Sequence, residues 1–155
     1  MVSITEYEGI ERKERNMCQV ALTTVIASPV DEVWETVKDF ENPGKYLDAV
    51  AQCTMEGTGV GAVRTVQIHG GDFGIERMVH LDEENRTIAY AITDSSLPLS
   101  GYIAVMHLRD LGEDRCGLEW SSVFEPKDAT DQEAVGFVEN FYAGGFEGLK
   151  GRHEK

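Results

Sequence analysis

The stretch Ile26-Ala-Ser-Pro-Val-Asp-Glu-Val-Trp-Glu-Thr-Val-Lys-Asp-Phe40 ends a strand-like run and opens an amphipathic helix. Pro29 suits a first helical position. Ser28 is placed to accept a hydrogen bond from the first turn, and Asp31 sits where a capping box takes an acid. Val30, Val33, Trp34, Val37 and Phe40 recur at helical spacing, so a helix with one apolar face is predicted over 29–40. Upstream, Cys18, Val20, Leu22 and Ile26 fall on alternate positions and predict a strand. Downstream, Asn42-Pro43-Gly44 breaks the chain, and 45–48 has the makings of one further helical turn.

From Ala49 to Phe124 the pattern is β throughout. Strands are predicted near 50–56, 61–69, 73–81, 86–94, 100–110 and 115–124, separated by short glycine-, proline- or acid-rich punctuation. Consecutive strands on short turns make an antiparallel meander. After Pro126, Thr130 with Glu133 forms a capping box, and Ala134, Phe137, Val138, Phe141, Tyr142 and Leu149 mark one face of a long helix. Gly136, Gly144, Gly145 and Gly148 weaken that helix, each by up to ~1 kcal/mol against Ala, so tertiary packing must hold it. The expected class is α+β: a seven-stranded antiparallel sheet curled around the C-terminal helix, with two short helices after the first strand. Residues 1–16 read as a polar N-terminal arm or short peripheral helix, and 17–155 as a single domain.

With 28 acidic against 14 basic residues, the net charge is −14. That argues against nucleic-acid binding, which needs a basic surface, and against an anionic membrane surface. No apolar run reaches the length of a membrane span, so no stable membrane insertion is expected. The N-terminus lacks a signal peptide's basic-then-apolar order. Cys18, Cys53 and Cys116 show neither disulfide nor zinc spacing, and a reducing cytoplasmic setting follows. His69, His80, His107 and His153 show no metal-ligand spacing, though His80 and His107 could sit near the sheet interior. Gly57-Thr-Gly-Val-Gly61 lacks the lysine ending of a phosphate loop and reads as a tight turn needing positive φ. No metal or cofactor is called for.

Several pieces, in order, carry a family resemblance: Ala27-Ser-Pro-Val-Asp-Glu-Val-Trp34, Gly59-Val-Gly-Ala-Val-Arg64, Ile75-Glu-Arg77, Leu118-Glu-Trp120 and Phe124-Glu-Pro126. The chain resembles the SRPBCC superfamily, the helix-grip group that includes START domains. It is most similar to the polyketide cyclase/dehydrase-like branch related to the abscisic-acid receptors. The match spans about residues 17–151. It does not extend to the hormone receptors' signature positions. Ala51 stands where they place a carboxylate-binding lysine, and Gly70–Gly74 and Ser96–Gly101 lack their gate and latch motifs.

The resemblance implies a cavity between sheet and helix and assigns strand faces to it. Alternate residues of a strand share a face. Arg64, Val66 and Ile68 form one such set, and Glu76, Met78 and His80 another. Ile88, Tyr90 and Ile92 follow, then Tyr102, Ala104 and Met106, then Glu119, Ser121 and Val123. Phe137, Phe141 and Tyr142 would supply the helix side. A mostly apolar pocket with a few convergent polar groups suits a hydrophobic small-molecule ligand such as a polyketide, isoprenoid or lipid. The leading expectation is therefore binding or transport of such a ligand, with Arg64, Glu76, Tyr102 and Glu119 as polar contacts. An alternative is a cofactor-independent cyclase or dehydratase using Glu76 or Glu119 with Tyr102 for proton transfer. A third is a protein-interaction module acting through the acidic surface. A monomer or weak homodimer is expected.

Overall fold

In a computed structural model, which describes residues 17–155, one antiparallel sheet wraps one long helix. The calls on residues 1–16 lie outside the described residues. The strands are β1 (Cys18–Ile26), β2 (Val50–Glu56), β3 (Val63–Ile68), β4 (Phe73–Asp82), β5 (Thr87–Ser95), β6 (Leu99–Gly112) and β7 (Arg115–Pro126). Helix α1 (Val30–Val37) and a 3-10 turn (Pro43–Lys45) connect β1 to β2, and α2 (Asp131–His153) ends the chain. The sheet order is β1-β7-β6-β5-β4-β3-β2, so the meander returns its last strand to the first. This is the expected α+β architecture.

Helix α1 forms where its apolar spacing predicts, burying Val30, Val33, Trp34 and Val37, but it starts differently. Pro29 is the N-cap and no side chain caps it. Ser28 Oγ donates instead to Glu32 Oε2 at 3.4 Å, and Asp31 pairs across to Arg86 at 2.9 Å. The helix also ends earlier than predicted, with Lys38 as its C-cap. The Thr130 capping box of α2 is complete: the Glu133 N–H donates to Thr130 Oγ1 at 3.1 Å, and the Thr130 N–H donates to Glu133 Oε1 at 3.0 Å. The turn at Gly57, Gly59 and Gly61 has φ of +82°, +67° and +95°, as the glycine spacing requires.

Two glycines of α2 are there for packing. A Cβ on Gly145 would lie 2.6 Å from the Trp120 indole, and one on Gly148 would lie 1.8 Å from the Tyr46 carbonyl oxygen. The helix therefore gives up intrinsic propensity to approach the sheet and the loop after α1. Trp120 (1% exposed) then stacks on Tyr142 (0%) with ring centroids 4.1 Å apart. Beyond the area buried, such a pair contributes about 0.5–1.5 kcal/mol. At its far end α2 is clasped back to the start of the fold. Thr36 Oγ1 and His153 Nε2 share a hydrogen bond of 2.9 Å, and the Ala27 N–H donates to Glu154 Oε2 at 2.9 Å.

Candidate functional site

The sheet's concave face and α2 enclose one apolar recess. Its sheet wall is built from Arg64, Val66 and Ile68 on β3, Glu76 on β4, Tyr90 and Ile92 on β5, and Leu99 and Tyr102 on β6. Phe137, Val138, Phe141 and Tyr142 of α2 face them. Pro43, Leu47, Val50 and Leu97 close the loop side. In this conformation the free space inside is about 30 Å³, within about 530 Å³ that includes solvent outside it. The inner space holds about one or two waters, far below the few hundred cubic ångströms a drug-sized ligand needs.

Strand pairing explains which polar groups meet here. β3 and β4 pair in a register that sets Arg64 opposite Glu76. The two then form an ion pair with side chains only 7% and 13% exposed. Arg64 Nε and Nη2 both converge on Glu76 Oε1 at 2.7 Å. Nη1 donates to the Phe40 carbonyl at 3.0 Å, and the guanidinium lies 3.9 Å from the Phe40 ring centroid and 5.1 Å from that of Tyr90. Burial opposes the Arg64 charge, but the Glu76 carboxylate and its hydrogen bond outweigh it and hold Arg64 protonated.

A second polar pair joins the sheet to α2. The hydroxyls of Tyr102 on β6 and Tyr142 on α2 hydrogen-bond to each other at 2.5 Å. The Trp120 indole N–H donates to the Tyr90 hydroxyl at 3.2 Å. Burial pushes the Tyr90 and Tyr102 hydroxyls well above the usual phenol range and raises Tyr142 as well, so all three stay neutral. Ser122 Oγ, on the inner face of β7, is buried and has no hydrogen-bond partner among the described residues.

Of the residues expected at the site, Arg64, Val66, Ile68, Glu76, Tyr90, Tyr102, Phe137 and Phe141 line the recess together. Glu119 does not. It is exposed, and the inward positions of β7 are Leu118, Trp120, Ser122 and Phe124. The predicted set Glu119, Ser121 and Val123 is one residue out of register, which turns every side chain to the other face. One of the two candidate carboxylates therefore lies outside the recess, and Trp120 occupies the interior instead. Met78 and Ala104 are buried in the core without lining the recess. His80 is exposed, because the pairing of β4 with β5 shifts between Met78 and His80. His107 is half-buried and hydrogen-bonds Thr87 Oγ1 through Nδ1 at 2.8 Å, away from the recess.

The loop wall was missed. Leu97 on this wall, and Leu99 beside it at the start of β6, flank Pro98, a signal that could have marked them as buried anchors. Pro43, Leu47 and Val50 carry no such periodic signal. Among the described residues no group of three or more His, Cys, Asp or Glu is placed to hold a metal ion. No helix among them is long and apolar enough to cross a membrane.

Comparison with known proteins places this geometry among relatives. The family described as polyketide cyclase / dehydrase and lipid transport matches residues 17–154. Abscisic acid receptor PYL7 of Arabidopsis thaliana is 28% identical over 133 residues, which make up 81% of this chain and 63% of the receptor. Abscisic acid receptor PYL2 of the same plant is 26% identical over 133 residues, 79% of this chain and 70% of the receptor. The chain thus spans less than two thirds of the length of the first of these. Among solved structures, the protein XoxI from Bacillus cereus superposes with a TM-score of 0.82 at 21% identity, covering 88% of this chain and 95% of that one. The Zhui aromatase/cyclase from Streptomyces sp. R1128 superposes with a TM-score of 0.75 at 19% identity, covering 88% and 93%. At these identities the structural likeness is one of fold, the helix-grip fold.

Proposed function

The chain belongs to the polyketide cyclase / dehydrase and lipid transport family of the SRPBCC superfamily, and from that premise we propose that it binds a hydrophobic small molecule between sheet and α2. The observation that carries this reading is the make-up of the recess. Its walls are apolar, and its few polar groups converge as two pairs, Arg64 with Glu76 and Tyr102 with Tyr142. That is the composition of a binding pocket. The setting is the cytoplasm, and the working unit is a monomer or weak homodimer.

The closed recess is too small for such a ligand, so binding requires the mouth to open. Two loops meet there. Ser96 Oγ donates to Asp72 Oδ1 at 2.9 Å, and the Phe73 N–H donates to Ser96 Oγ at 2.9 Å. Lys127 Nζ holds the Ser95 carbonyl at 2.6 Å. Gly70 and Gly71, with φ of +101° and +104°, form the turn of one of these loops and give it a hinge. Opening them lets Leu97 swing off the recess and admits a ligand.

The test is a pair of mass spectra of freshly purified protein, native and denaturing. Extra mass that disappears on denaturation, and is diminished in Tyr102→Ala, supports the reading. A bare chain in both spectra, with no thermal stabilisation by any of a panel of polyketides, isoprenoids and lipids, contradicts it.

The family description also favours a second reading, a cyclase or dehydratase. With Glu119 on the outer face, that chemistry falls to Glu76 and Tyr102. Full turnover by Glu76→Gln on a true substrate would end it.

A further inference from the structure

The charge of the recess is already balanced, and this sets the class of ligand. Among the described residues lining it there is one cation, Arg64, and one anion, Glu76. Two nitrogens of Arg64 are spent on Glu76 Oε1, the third on the Phe40 carbonyl, and the guanidinium face rests on an aromatic ring. No lysine or histidine lines the recess. A ligand carboxylate entering here would lose its water, find the one cation neutralised, and sit beside the Glu76 charge. Buried charge without a partner is strongly disfavoured.

A neutral head group meets the opposite situation. Tyr102 and Tyr142 are both protonated and share one hydrogen bond. Two phenols carry two protons, and their mutual bond uses one; the other has only the neutral hydroxyls of Tyr90 and Ser122 as neighbours and can turn to a ligand oxygen instead, while the phenol oxygens keep acceptor lone pairs. That suits a carbonyl, ester or hydroxyl oxygen. Resting on the ligand-binding reading above, we infer that the recess selects electrically neutral hydrophobic molecules with a carbonyl or hydroxyl head and rejects carboxylates.

Three matched probes test this: geraniol, methyl geranate and geranic acid, titrated calorimetrically into the protein at about pH 7, where the acid is ionised. In the unmodified protein the alcohol and ester bind, and the acid binds at least about tenfold more weakly. In Glu76→Gln, Arg64 loses its counter-charge, and the ratio of acid to ester affinity rises by about tenfold or more. An acid that binds the unmodified protein as tightly as its ester overturns the charge rule while leaving ligand binding intact. That comparison needs no variant, so it decides the matter even if Glu76→Gln does not fold. Absence of binding by all three probes overturns the charge rule, which then has no neutral molecule to select, whereas the ligand-binding reading falls only if the native spectra and the wider panel fail as well.

Discussion

Alanine at position 148 of α2 should destabilise the fold, whereas alanine four residues earlier should stabilise it. Intrinsic helix preference favours both changes equally, by about 0.8–1 kcal/mol. The surroundings differ. At Gly144 an added Cβ meets nothing within 4 Å, so the gain is realised. At Gly148 the added Cβ would lie 1.8 Å from the Tyr46 oxygen, 2.7 Å from its carbonyl carbon and 3.0 Å from its Cα. All three are backbone atoms and cannot rotate away. The helix or the loop after α1 must retreat by more than about 1 Å, and Tyr46 and Leu47 with it, though both are about 95% buried. Overpacking that shifts side chains and backbone costs typically about 1–3 kcal/mol, occasionally more, and three close backbone contacts put this site at the upper end. Set against the propensity gain, Gly148→Ala should lose about 2 kcal/mol or more. In a chain of 155 residues, each kcal/mol moves Tm by about 2–4 °C. Thermal melts should therefore show Gly144→Ala about 2–3 °C above the unmodified protein and Gly148→Ala at least about 4 °C below it. Equal melting temperatures for the two variants would refute the close approach of α2 to the Tyr46 backbone, and with it the loop wall of the recess.

Two further predictions concern charge. Arg64→Met leaves the Glu76 carboxylate buried without its partner and should lower stability by about 3–5 kcal/mol in urea denaturation, with much of the loss recovered when Glu76 is also replaced by Met; equal stability of the two variants contradicts the ion pair. For His153, burial and then the neighbouring Arg152 charge hold the imidazole below its ordinary value, with Glu32 pulling the other way. Its folded value lies below its unfolded value of about 6.5, so stability is intact above that pH and falls as the pH drops through the lower folded value. Melting temperatures recorded through this acid range should decline less in His153→Gln, and an identical decline in both proteins refutes the role given to the Thr36–His153 clasp.

Most of the fold was legible because its signals are local. The capping box at Thr130 and Glu133 and the apolar spacing of Val30, Val33, Trp34 and Val37 are each set by residues a turn apart. The alternation in β3 likewise placed Arg64, Val66 and Ile68 together. At β7 the family resemblance and the apolar alternation point to opposite faces. Cys116, Leu118, Trp120 and Phe124 are apolar at every second position but one, and that pattern alone turns Glu119 outward. At β4 the alternation itself fails, since the irregular pairing after Met78 carries His80 to the surface. Ser28 looked like a cap because of its residue type, but the cap position fell on Pro29. The loop wall and the roles of Gly145 and Gly148 were not legible, because they depend on how distant segments approach, which no local pattern encodes.

The central claim, that the space between sheet and α2 is a ligand site, is tested most directly by a backbone-amide NMR titration with methyl geranate. The account predicts shift changes concentrated in β3 to β6, in the middle of α2 around Phe137 to Tyr142, and in the two mouth loops at Gly70–Gly74 and Ser95–Gly101. Changes confined to the outer face of β1 and β7, or no changes at saturating probe, would contradict it.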